Sequence, residues 1–158
     1  VRDSQRGGVY GAEFVLRDLF ERAERSGNPM VEIEGVAMTL PPEARFGSLE
    51  SVQAYCDRVT DMVGAPPVRV RRRKGAQKAH YERGGVIAVH DDGSRWAMRE
   101  TVILHELAHH LSRSSRESHG PEFVAAHIDL LSRVMGPEAG LALRILGAST
   151  SVRESCRA

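Results

Sequence analysis

The stretch HELAHHLSRSSRESHGPEF, from His105 to Phe123, holds four histidines, two of which frame a glutamate as His105-Glu106-x-x-His109. Histidines four apart on a helix lie one turn above each other on one face, so His105 and His109 can aim ring nitrogens at a single ion. A catalytic zinc site needs three protein ligands and keeps a fourth position open, where bound water has its pKa lowered to about 7. Glu106 adjoins the first ligand and is placed to accept that water's proton rather than to bind metal. The stretch therefore supplies two ligands and a base.

The helix that carries them is predicted over RWAMRETVILHELAHHLSR, capped from Asp91-Asp92-Gly93-Ser94. It is apolar on nearly every face around Val102, Ile103, Leu104, Leu107, Ala108 and Leu111, and such a helix is a buried one. An unpaired buried charge costs several kcal/mol, so His, Glu and His on a buried helix call for something that satisfies them. A metal with its water would satisfy all three.

The third ligand is open on the residues alone. His110 lies about 100° around the helix from His109 and reads as a surface residue or one that supports the ligands from behind. His119 follows the polar loop SSRESHG and sits at the start of the next helix, where Pro121 suits the first helical position. His127, between Ala126 and Ile128, reads as a partly buried histidine packing near Phe123. Glu122 and Asp129 are the carboxylate alternatives, although Glu122 has an ordinary role as an acid in a helix's first turn.

HELAHH followed after a short loop by HGPEF resembles the SprT-like zinc proteins, and more narrowly the small HExxH metallohydrolases of actinobacteria and their phages. The resemblance covers His90 to Leu131 and implies that His105, His109 and His119 hold one zinc ion (Zn2+) per chain, with Glu106 catalytic. It implies a minimal zincin-like α+β fold, a small three- to four-stranded, mostly antiparallel sheet packed against a buried HExxH helix and further helices. The implied activity is that of a zinc-dependent hydrolase, a metallopeptidase acting on a peptide or protein substrate. Such peptidases run an edge strand just before the active helix, and VIAVHDD holds that place here, so Val86, Ile87, Ala88 and Val89 are candidates for backbone pairing with substrate. Tyr81 and His90 are candidate donors to an oxyanion. The cysteines of the zinc-ribbon parts found in DNA-repair members have no counterpart here. The pattern HExxHxxGxxH is also absent, since Ser112 and Ser115 stand where its glycine and third histidine would be.

The remaining sequence frames this stretch. A first helix is predicted in YGAEFVLRDLFERAERSGN from Ala12, Val15, Leu16, Leu19 and Ala23, and a strand in VEIEGVAMTL. Ser48 caps a second helix striped by Leu49, Val52, Cys56, Val59 and Val63, with Ser51 expected to leave the capping box incomplete. VRVRR, KAHYE and VIAVHDD read as three strands of a meander. PEFVAAHIDLLSRVMG and PEAGLALRILG are the last helices. One domain is expected over residues 1–148, with a disordered tail over 149–158.

Cys56 and Cys156 stand far apart without a CxxC pair, so neither a disulfide framework nor a zinc ribbon is expected and any metal falls to His and carboxylate. No apolar run reaches the roughly 18 residues of a membrane span, and the expectation is a cytoplasmic protein without membrane contact. Net charge is +1, but RVRRRKGAQKAHYER carries seven Lys/Arg against one Glu. Its plain reading is a solvated hairpin face, and its sharper one a nucleic-acid contact over residues 69–78, with Tyr81 the one aromatic for stacking. The alternative to an enzyme is a catalytically silent zinc-binding interaction or regulatory module.

Overall fold

The computed structural model describes residues 2–75, 78–91 and 96–155. In order these form α1 (Arg6–Ser26), β1 (Met30–Ile33), β2 (Val36–Thr39), α2 (Leu49–Val63), β3 (Arg69–Arg72), β4 (His80–Glu82), β5 (Val86–Val89), α3 (Glu100–Leu111), α4 (Pro121–Val134) and α5 (Pro137–Ser149). The protein is thus α+β, with five helices and sheets of two and three strands among the described residues. No helix is long and apolar enough to cross a membrane among those residues. The chain divides into two compact units, one of Val1–Glu43 with Ser114–Ala158, the other of Ala44–Arg113.

In the first unit, α1 buries Val9, Ala12, Glu13, Leu16 and Phe20, so the covered stripe is turned from the predicted one and Val15 is exposed. Gly27 ends it in the left-handed conformation that a helix C-cap favours. The single strand expected over VEIEGVAMTL is instead a hairpin, β1 pairing antiparallel with β2 and Ile33 opposite Val36. Glu34 and Gly35 both take positive φ, as a two-residue turn matching strand twist requires. Glycine meets that demand without strain, and it is the signal that divides the stretch.

Helices α4 and α5 each begin with proline and pack together closely. A Cβ on Gly140 would stand 1.8 Å from Ser132 Oγ and 2.8 Å from the Ile128 carbonyl, so a side chain there would force the helices apart. The tail expected to be disordered from residue 149 is held through residue 155. Val152 N donates to the Gly147 carbonyl at 2.9 Å, Arg153 N to Gln5 Oε1 at 2.7 Å and Ser155 N to the Pro121 carbonyl at 3.1 Å. Gln5 and Pro121 lie far off in sequence, and no local pattern reports them. Cys156 lies outside the described residues.

In the second unit, α2 starts at Ser48 with a complete capping box, contrary to expectation. Ser51 N donates to Ser48 Oγ at 3.1 Å, and Ser48 N to Ser51 Oγ at 3.2 Å, a serine serving where Glu or Gln is usual. Its buried face is Val52, Tyr55, Cys56, Val59 and Thr60. Burial, with Asp57 nearby, pushes the Cys56 thiol up to about 12, so it is inert core.

The three-stranded sheet has the order β3-β5-β4, with β3 parallel and β4 antiparallel to β5. It is mixed, not the meander expected. The apolar VIAV strand takes the middle, where Ile87, Ala88 and Val89 are buried, and the Arg-rich and mixed strands take the edges. Val86 to Val89 therefore pair with Arg69 to Arg72 on one side, and Val86 to Ala88 with Glu82 to His80 on the other. The expectation that β5 is an edge strand offering its backbone to substrate is overturned.

Helix α3 is shorter than predicted and begins at Glu100. Arg99 is extended and bridges Arg45, while the Glu100 carboxylate accepts from Ala44 N at 2.8 Å and from the Tyr55 hydroxyl at 2.6 Å. These ties hold residues 97–99 out of the helix. The caps expected at Asp92, Gly93 and Ser94 lie outside the described residues. Ten of the twelve α3 residues are buried, as an all-round apolar pattern predicts.

Candidate metal centre

In the second unit, α3 carries two of the candidate ligands. His105 is buried and His109 half-buried one turn on, with their Nε2 atoms 3.2 Å apart and ring planes at 78°. Two nitrogens bound tetrahedrally to zinc at about 2.0–2.1 Å lie roughly 3.3–3.4 Å from each other, so this separation fits a shared ion with almost no adjustment. Without metal the same distance accommodates one N–H···N hydrogen bond. The donors are imidazoles with no thiolate, a set suited to zinc and to other divalent metals of similar softness.

Glu106 is 7% exposed on the same helix, and its Oε2 accepts from the backbone N–H of Tyr81 at 2.7 Å. Sequence reasoning gave no hint of this partner. Tyr81 lies in edge strand β4, and its amide donates to the carboxylate. Its ring runs nearly parallel to that of His109, centroids 6.5 Å apart.

The Tyr81 hydroxyl lies 3.1 Å from His110 Nδ1, while His110 Nε2 lies 2.9 Å from the Pro66 carbonyl. A carbonyl only accepts, so Nε2 carries the proton and donates to Pro66, Nδ1 accepts, and the hydroxyl donates to it. Burial holds the His110 pKa below its ordinary 6.5, with Arg113 adding to the effect and the Pro66 bond opposing it, in keeping with a neutral ring. His110 is 3% exposed and so is an interior residue that anchors Tyr81, not a surface one. The Tyr81 hydroxyl, considered as a donor to an oxyanion but not assigned to one, is committed to His110. His90 follows β5, half-buried.

In the first unit, His119 lies two residues before α4 and is 5% exposed. Its Nδ1 lies 2.6 Å from Asp3 Oδ2, its backbone N–H donates to Asp3 Oδ1 at 3.2 Å, and its carbonyl accepts from Gln5 Nε2 at 3.2 Å. Tyr10 and Phe123 pack against the ring, with centroids at 5.1 and 4.9 Å. Asp3 and Gln5 are 116 and 114 residues away in sequence, and nothing in the pattern singles them out.

His127 is 2% exposed and packs on Phe123 with ring centroids 5.6 Å apart, as expected, though it is wholly rather than partly buried. Its Nδ1 is 3.4 Å from Glu13 Oε1, a buried acid on α1 that the apolar stripe concealed. Glu122 stands in the first turn of α4 and accepts from Ser115 Oγ at 3.2 Å. Asp129 is 3.6 Å from Arg133. Both carboxylates thus have ordinary helix roles.

In the basic stretch, Arg71 pairs with Glu82, Arg72 with Asp91 at 3.4 Å, and Arg73 donates to the Lys78 carbonyl at 2.9 Å. The Arg71 contact holds the Glu82 carboxyl below its usual range. Arg71, Arg72 and Arg73 are therefore occupied locally. Arg69, Lys74 and Arg83 are exposed.

Compared with known proteins, the chain matches no family model, no curated protein and no solved structure.

Proposed function

We propose that the chain is a zinc-dependent hydrolase, a peptidase of minimal zincin-like fold, in which His105, His109 and His119 hold one zinc ion and Glu106 is the general base. The observation that carries the reading is the 3.2 Å separation of the His105 and His109 Nε2 atoms beside a buried, hydrogen-bonded Glu106. Imidazoles are donors of the kind that hold zinc. The sequence HELAHH and HGPEF supports the same set.

Zinc held there would polarise a substrate carbonyl and lower the pKa of a bound water to about 7. Glu106 would accept a proton from the attacking water and return it to the leaving amine. The Tyr81 amide at Oε2 would keep the carboxylate in one plane for both transfers. His110 would hold Tyr81 in place through its hydroxyl. An extended substrate would find its backbone partner on an edge strand such as β4, not on β5.

The test is cleavage of a mixed peptide library by zinc-loaded protein and by Glu106→Gln. Cleavage by the native chain alone, with zinc retained in both, supports the peptidase. Undiminished cleavage by Glu106→Gln would remove its mechanism, and zinc binding without any cleavage would favour the silent module.

A further inference from the structure

The first unit places a carboxylate from the start of the chain on the histidine proposed as third ligand. Asp3 meets His119 twice, with Oδ2 2.6 Å from Nδ1 and Oδ1 accepting the backbone N–H at 3.2 Å. A carboxylate cannot donate, so the imidazole Nδ1 carries the proton, and in the neutral ring it is Nε2 that holds the lone pair. Histidines that bind metal gain basicity and a fixed orientation from such a partner.

The segment that carries the carboxylate is held in turn. Ser4 Oγ donates to Glu117 Oε2 at 2.8 Å. Gln5, 7% exposed, donates to the carbonyls of His119 at 3.2 Å and Arg153 at 3.1 Å and accepts from Arg153 N at 2.7 Å. Tyr10, one turn into α1, packs against the His119 ring. The Asp3-Ser4-Gln5 segment is thus bound to the HGPEF turn by side chain and backbone.

We infer that Asp3 is a positioning residue for metal binding: its carboxylate sets the tautomer and angle of His119 so that Nε2 is the ligating atom. This rests on the proposed reading of His119 as a ligand.

The test compares zinc affinity, by competition with a chromogenic chelator, in native protein, Asp3→Ala, Asp3→Asn, Ser4→Ala and His119→Ala. The His119 tautomer is read from 15N shifts in the zinc-free protein. Asp3→Ala is expected to weaken zinc binding by about 10–100-fold and to lose the Nδ1–H signature. Asp3→Asn, which keeps an acceptor without the charge, should lose less, and Ser4→Ala, which loosens the segment but keeps the carboxylate, should lose less again. Native affinity and tautomer in Asp3→Ala, with zinc lost in His119→Ala, would overturn the inference and leave the proposed function standing. Native affinity in His119→Ala would overturn both. If Asp3→Ala fails to fold, Asp3→Asn carries the test alone, and native affinity and tautomer there would overturn the inference.

Discussion

Helix α3 and the HGPEF turn each present a buried histidine, but they are fixed by different means. On α3 the spacing is local: His105 and His109 come together because a helix repeats every 3.6 residues, and their nitrogens are 3.2 Å apart. At the turn, His119 is held by Asp3, Gln5 and Tyr10, brought from more than a hundred residues away. A motif written in one helix survives as sequence, whereas one assembled by folding depends on residues that carry no signature.

The largest expected effect lies on the local side. Glu106→Gln should lower turnover by about 10²–10⁴-fold while zinc stays bound, because proton transfer is lost and the ligands are kept. Turnover and zinc content on the same preparations check this, and parallel loss of both would place Glu106 among the ligands instead.

The supports of each region come next. Tyr55→Phe would leave the buried Glu100 carboxylate short of a donor at the start of α3 and should cost about 1–3 kcal/mol in urea unfolding. Gly140→Ala should cost about 1–3 kcal/mol through the clash of its Cβ with Ser132 and the Ile128 carbonyl. Its zinc affinity measures how far α4 packing reaches His119, and a neutral substitution would mean that the α4–α5 contact gives way easily.

The smallest effect is a dependence on pH. His110 has a folded pKa below its ordinary 6.5, so its neutral form favours folding: the contribution is complete above pH 6.5 and is lost as pH falls through the depressed value. Denaturation of zinc-free protein between pH 7.5 and 5.5 should show declining stability, and His110→Gln should flatten the decline. An unchanged slope would mean that His110 charges freely in the fold.

The sequence made the α+β class, the buried α3 and the pairing of its histidines legible because all three depend on short-range periodicity. It misread β5 as an edge strand because periodicity reports burial and not neighbours, and a central apolar strand looks alike in parallel and antiparallel company. It merged β1 and β2 because a two-residue turn interrupts the alternation only briefly. The Tyr81 amide on Glu106 escaped for another reason, since any residue has an amide and only the folded register aims it.

Zinc per chain, by elemental analysis of native protein and His119→Ala purified side by side, tests the central claim most directly. About one zinc in the native protein and much less in the variant is the predicted result. No zinc in the native protein would contradict the metal centre, and full occupancy in the variant would contradict His119 as its third ligand.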